Sequence, residues 1–82
     1  MDIERLVTMA NDITDFFHGA VSADEVASSV ATHLRRYWDP RMRKQIIAHW
    51  QAGAAGLSES AKQGVAQLAS QLPAGRALSP ER

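Results

Sequence analysis

The chain contains no cysteine. Disulfides, thiolate zinc sites, cysteine-ligated iron–sulfur clusters and a cysteine nucleophile are thereby excluded. Long apolar runs are also missing, and nothing approaches the ~20 residues of a membrane span. The opening, Met1-Asp2-Ile3-Glu4, is acidic and no apolar run follows it, so no secretory signal is expected and a cytoplasmic protein is anticipated. Net charge is absent as well. Nine basic residues cancel nine acidic ones, which argues against a general nucleic-acid binder and leaves only a local basic patch. Large apolar side chains are scarce: hydrophobic residues are 45% of the 82, but 14 of them are alanine. The length allows one small domain that buries ~60–65% of its unfolded surface. Such a chain is expected to be helical but only marginally stable alone. Strand-like alternation, internal repeats and glycine-rich phosphate loops are all lacking.

What the sequence does have is helical periodicity. A first helix is expected from Asp2 to Phe17, with Gly19 at its C-cap. Ile3, Leu6, Val7, Met9, Ala10, Ile13, Phe16 and Phe17 cover an arc of about 180° at about 100° per residue. A surface helix needs a narrower stripe, so the surplus edge at Met9 and Phe16 is a candidate contact for another subunit. Ser22 and Glu25 read as a capping box opening a second helix. Val26, Ala27, Val30, Ala31, Leu34, Tyr37 and Trp38 form its stripe. Pro40 ends that helix near Trp38 and starts a third, capped by Asp39 and running to about Ala52. Its stripe is Met42, Ile46, Ile47 and Trp50. Ala52 to Gly56 reads as a flexible connection. Ser58 caps a fourth helix that runs to about Leu72 over Ala61, Val65, Leu68, Ala69 and Leu72. Gly64 should weaken this helix by about 1 kcal/mol relative to alanine. The expected fold is all-α, a small bundle of three to four short helices over residues 1–72, with a loose tail over 73–82.

The densest chemistry lies between His33 and Trp50. Five of the nine basic residues fall there, Arg35, Arg36, Arg41, Arg43 and Lys44, together with Tyr37, Trp38 and Trp50. Arginine, tyrosine and tryptophan dominate interface energetics. Arg35, Arg36 and Arg41 lie off the apolar stripes and so are candidates for a partner, with Tyr37 adjoining. Arg43 falls inside the third stripe, where it either lies along the core with its charge reaching out or pairs with Asp39. Trp38 and Trp50 are both expected to be buried and, across the corner, close together. Catalysis has little support: His18, His33 and His49 fit no ligand motif, and Ser22 and Ser58 read as caps.

At these residues the chain resembles a known family. The run His33-Leu34-Arg35-Arg36-Tyr37-Trp38-Asp39-Pro40-Arg41-Met42-Arg43 is similar to the hallmark of the delta subunit of bacterial, soluble, NAD-dependent, molybdenum-containing formate dehydrogenases. Leu6 to Ile13 with Phe16-Phe17 resembles the family's opening segment, and Gly56-Leu57-Ser58 matches more loosely. The resemblance covers roughly Leu6 to Leu72. It implies a non-catalytic subunit that binds the catalytic alpha subunit, alongside beta and gamma subunits. In that complex formate is oxidised to carbon dioxide. Electrons pass through iron–sulfur clusters and FMN to NAD, and the molybdenum cofactor and these other centres sit in the larger subunits. The resemblance implies that the delta subunit supports stability of the complex or maturation of its molybdenum-bearing subunit, and leaves both roles open. The contact set expected from the residues is Met9, Phe16, Arg35, Arg36, Tyr37, Arg41 and Arg43. The rival readings are a small helical nucleic-acid-binding domain using Arg35 to Lys44, and a small enzyme.

Overall fold

Asp2 starts the structure by accepting a hydrogen bond on its carboxylate from the Glu4 backbone N–H, at 3.2 Å. This caps α1, Ile3–His18, in a computed structural model that describes residues 2–71. A short 3₁₀ turn, Ala23–Glu25, leads into α2, Val26–Tyr37. Next come α3, Pro40–Gln51, and α4, Glu59–Gln71. The fold of the described residues is all-α with no strand, as the periodicity requires. The expectations for Leu72 and for the tail over 73–82 lie outside the described residues.

Two helix starts follow from caps legible in the sequence. The Asp39 carboxylate accepts from the Met42 N–H at 2.9 Å, with Pro40 in the first turn of α3. Ser58 Oγ accepts from the Ala61 N–H at 3.2 Å and opens α4. The cap before α2 differs from expectation. Ser22 makes no side-chain cap, and the Glu25 N–H bonds to the Ser22 carbonyl at 2.9 Å. The capping-box signal marked the right place, but the first turn tightens to 3₁₀ geometry and satisfies its own N–H.

The core is made by Leu6 and Ala10 of α1, Val30 and Leu34 of α2, Ile46 of α3 and Val65 and Leu68 of α4, all fully buried. The α2–α4 contact is the most extensive helix pair, and Gly64 explains why. A Cβ there would stand 2.6 Å from Val30 Cγ1. The expected penalty on helix propensity is therefore offset by an approach that no larger residue permits. Thr14 is also fully buried, donating its hydroxyl to the Ala10 carbonyl at 2.8 Å. A threonine that satisfies its hydroxyl on its own helix can bury its methyl group.

The segment between α3 and α4 is not the loose connection that its glycines and alanines suggest. The Gly53 N–H bonds to the Trp50 carbonyl and the Ala54 N–H to the His49 carbonyl, the pattern of a Schellman end, with Gly53 at φ +128°. Ala54 and Leu57 are buried. Asn11 ties this turn to α1: its amide donates to the Gly56 carbonyl and its carbonyl accepts from the Ser58 N–H, both at 2.9 Å. The His49 ring donates through Nε2 to the Ala55 carbonyl at 2.7 Å.

Candidate interaction surface

The tryptophans divide. Trp38 is buried, while Trp50 is only half-buried and packs on the margin of the core. No ring contact joins them among the described residues. The ring contacts lie elsewhere and form a chain across α1 and α2. Phe16 meets Phe17 edge-on at 5.2 Å, Phe17 meets His33 at 6.1 Å, and His33 meets Tyr37 at 4.8 Å. Both ends of this chain face outward, Phe16 at 67% and Tyr37 at 71% exposure.

His33 and Tyr37 line two adjoining hollows, which makes them the middle of one groove. One end is apolar: Met9 and Ile13 of α1, Trp38 at the end of α2 and Met42 of α3, with Asp12 as its only charged residue. The other end is polar: Ser28, Ser29, Thr32 and Arg36 of α2, backed by Phe17. The placement follows from helical spacing. Residues four apart share a face, so His33 and Tyr37 stand one above the other, as do Met9 and Ile13. The neighbouring hollows put the edge of α1 beside the edge of α2.

This geometry regroups the residues expected to bind a partner. Met9, Tyr37 and Arg36 line the groove, and Phe16 extends it through Phe17. Arg35 and Arg41 are exposed but line neither hollow. On α2, Arg35 lies about 160° around the axis from Tyr37, whereas Arg36 lies about 60° from His33. Of these two adjacent arginines, about 100° apart, only Arg36 therefore reaches the groove. Arg35, Arg36, Arg41 and Lys44 make no side-chain hydrogen bond or ion pair among the described residues, where the one ion pair is Lys62 with Glu59 at 3.8 Å.

Arg43 does something that neither account of it named. Its stem is partly buried, as the first account has it, but the guanidinium does not pair with the Asp39 carboxylate and is held by backbone carbonyls. One guanidinium nitrogen donates to the Arg35 carbonyl at 3.0 Å and to the Trp38 carbonyl, closing the last turn of α2. The carbonyls at a helix C-terminus lack intrahelical donors and carry partial negative charge, so a cation is well placed there. Its Nε is buried without a partner. Arg43 thus holds the α2–α3 corner and sets the direction in which Tyr37 and Arg36 leave α2. Periodicity located it on the inner face, but the carbonyls it would meet depended on the angle between two helices.

The histidines do not converge. His18 Nε2 lies 3.1 Å from Ser60 Oγ, His49 holds the α3–α4 turn, and His33 sits between two rings. Among the described residues no group of three or more histidine, aspartate or glutamate side chains is placed to hold a metal. No described helix is long and apolar enough to cross a membrane. Sequence reading missed His33, Thr32 and Met42 as groove residues. Their signal was the shared edge with Tyr37 and the short step across the corner.

Together these features define a small all-α protein with an aromatic, cation-bearing groove on its surface. Compared with family models, the chain matches the NADH-dependent formate dehydrogenase delta subunit, FdsD, over residues 5–65, and it belongs to that family. The match spans α1 to the middle of α4 and includes every groove residue. Comparison with curated proteins and with solved structures gave no match.

Proposed function

We propose that this chain is a non-catalytic accessory subunit that binds the catalytic alpha subunit of an NAD-dependent formate dehydrogenase in the cytoplasm. It supports assembly, stability or cofactor maturation of a complex that also holds beta and gamma subunits. The molybdenum cofactor, iron–sulfur clusters and FMN reside in those partners, and this chain contributes surface rather than chemistry. Family membership supports the class of assembly. The observation that carries a binding role is the outward pair Phe16 and Tyr37, at 67% and 71% exposure, beside an arginine with no partner among the described residues. Large aromatic rings left in water cost a fold stability and gain their value when a partner covers them. Met9, Phe16, Arg36 and Tyr37 form the contact, Arg35 and Arg41 lie off it, and Arg43 positions it.

Co-expression with the large subunits tests the reading. The wild-type chain should co-purify with a molybdenum-containing subunit. The combined change Phe16→Ala, Arg36→Ala and Tyr37→Ala should abolish capture while leaving the helical spectrum and melting temperature nearly unchanged. Formate oxidation should fall only as far as assembly does. Wild-type capture by this variant would place the contact elsewhere. Strong, salt-dependent binding of the wild-type chain to nucleic acid, with no captured subunit, would favour the basic-patch reading instead.

A further inference from the structure

The groove is chemically polarised along its length, and the polarity describes what it fits. Among the described residues Arg36 is the only cation lining it and Asp12 the only anion, and they belong to different ends. At the Arg36 end the hydroxyls of Ser29 and Thr32 make no hydrogen bond among the described residues, and Arg36 makes none either. A guanidinium with unengaged hydroxyl donors beside it suits a carboxylate, which accepts several hydrogen bonds at once. At the Asp12 end Met9, Ile13 and Met42 offer a flexible apolar lining, and thioether side chains adapt to the shape of what they receive.

From this polarity we infer that the groove takes an acidic segment of partner protein that carries an apolar anchor. The anchor seats among Met9, Ile13 and Met42. An aspartate or glutamate within a few residues of it reaches Arg36, Thr32 and Ser29. Asp12 repels acid at the anchor end, so the segment can lie in one direction only. His33 and Tyr37 form the floor between the two contacts. Arg35, about 160° around α2 from Tyr37, takes no part. Nucleic acid fits the same groove poorly, because a phosphate backbone running its length would meet Asp12 and a methionine-lined hollow. The inference rests on the accessory-subunit reading and specifies the chemistry of its contact.

The absence of cysteine makes the test direct. Single-cysteine variants of the full chain, Ser28→Cys at the polar end, Met9→Cys at the apolar end and Lys44→Cys outside the groove, are labelled with a photoreactive benzophenone. They are then mixed with the co-expressed large subunits, irradiated, and the joined peptides sequenced by mass spectrometry. The expected result is that Ser28→Cys and Met9→Cys mark one stretch of the partner, acidic at the first and apolar at the second. Arg36→Glu should lower capture about tenfold or more, as loss of a buried charge pair does, and Arg35→Glu should not. Replacing the marked acid by lysine should restore capture by Arg36→Glu. Capture with joining from Lys44→Cys alone, a marked stretch without a carboxylate, or wild-type capture by Arg36→Glu would overturn the inference and leave the accessory role standing. A wild-type chain that captures no large subunit overturns both.

Discussion

The two sides of α2 are built on opposite rules. Towards α4 the contact is closed: Gly64 meets Val30 with no room for a methyl group, and Ala61, Val65 and Leu68 are fully buried. Towards α1 the seam closes at Leu6 and Ala10 and then opens into the groove, where Tyr37 stands in solvent with Phe16 exposed beyond it. The α3–α4 turn likewise satisfies its polar groups internally, through Asn11, His49 and Ser58. On the open side, the Arg36 guanidinium and the Thr32 hydroxyl have no partner among the described residues. A small chain with few large apolar residues can build one tight interface from alanine, glycine and valine. Leaving Phe16 and Tyr37 on the outside then makes sense as surface meant to be covered.

The largest expected effect tests where the core ends. Trp38→Ala should destabilise the chain by about 3–5 kcal/mol, the cost of emptying a buried aromatic site. Trp50→Ala, at a half-buried position, should cost clearly less. Denaturant melts of the two variants check the ordering, and equal losses would mean that Trp50 is as much core as Trp38.

Gly64→Ala pits two effects against each other. Helix propensity favours alanine by about 1 kcal/mol, while overpacking against a stiff Val30 costs about 1–3 kcal/mol. With the Cβ placed 2.6 Å from Val30 Cγ1, overpacking should win and the melting temperature should fall. The double change Val30→Ala with Gly64→Ala should recover part of that loss, and simple additivity in this cycle would contradict a direct clash.

Asn11→Ala removes both hydrogen bonds that tie the α3–α4 turn to α1. A loss of about 0.5–1.5 kcal/mol is expected, because the exposed Ser58 N–H and Gly56 carbonyl exchange their partner for water. Hydrogen exchange should show faster exchange at Ser58 and in the turn before any change in α2.

The smallest expected effect on stability comes from the open side. Phe16→Ala with Tyr37→Ala should leave the unfolding free energy within about 0.5 kcal/mol of wild type, since surface changes of this kind seldom do more. A large loss would show that these rings support the fold, and the contrast between the two sides of α2 would fail.

Much of this molecule was legible from residue order because caps and periodicity are local. Asp39-Pro40, Ser58 and the stripes of the helices fix boundaries through hydrogen bonds and spacings within a few residues. The surplus apolar edge at Met9 and Phe16 was visible for the same reason. The run from His33 to Arg43 pointed to the family that the match over residues 5–65 establishes.

Other features required two segments to meet. The burial of Ala54 and Leu57, the grip of Asn11 on a turn 45 residues away, and the need for glycine at position 64 depend on how helices approach one another. Arg43 could be placed on an inner face, but only the α2–α3 angle brought it to the carbonyls of Arg35 and Trp38. The groove belongs to the same class. Sequence marked two separate candidate edges, one on each of two helices. Packing joined Met9 to Tyr37, left Arg36 beside them and turned Arg35 away. The sequence determined the helices, their ends and their apolar faces, since those are settled by interactions within a turn or two. Only the tertiary structure decided which edges became neighbours, because that depends on close packing between helices far apart in the chain.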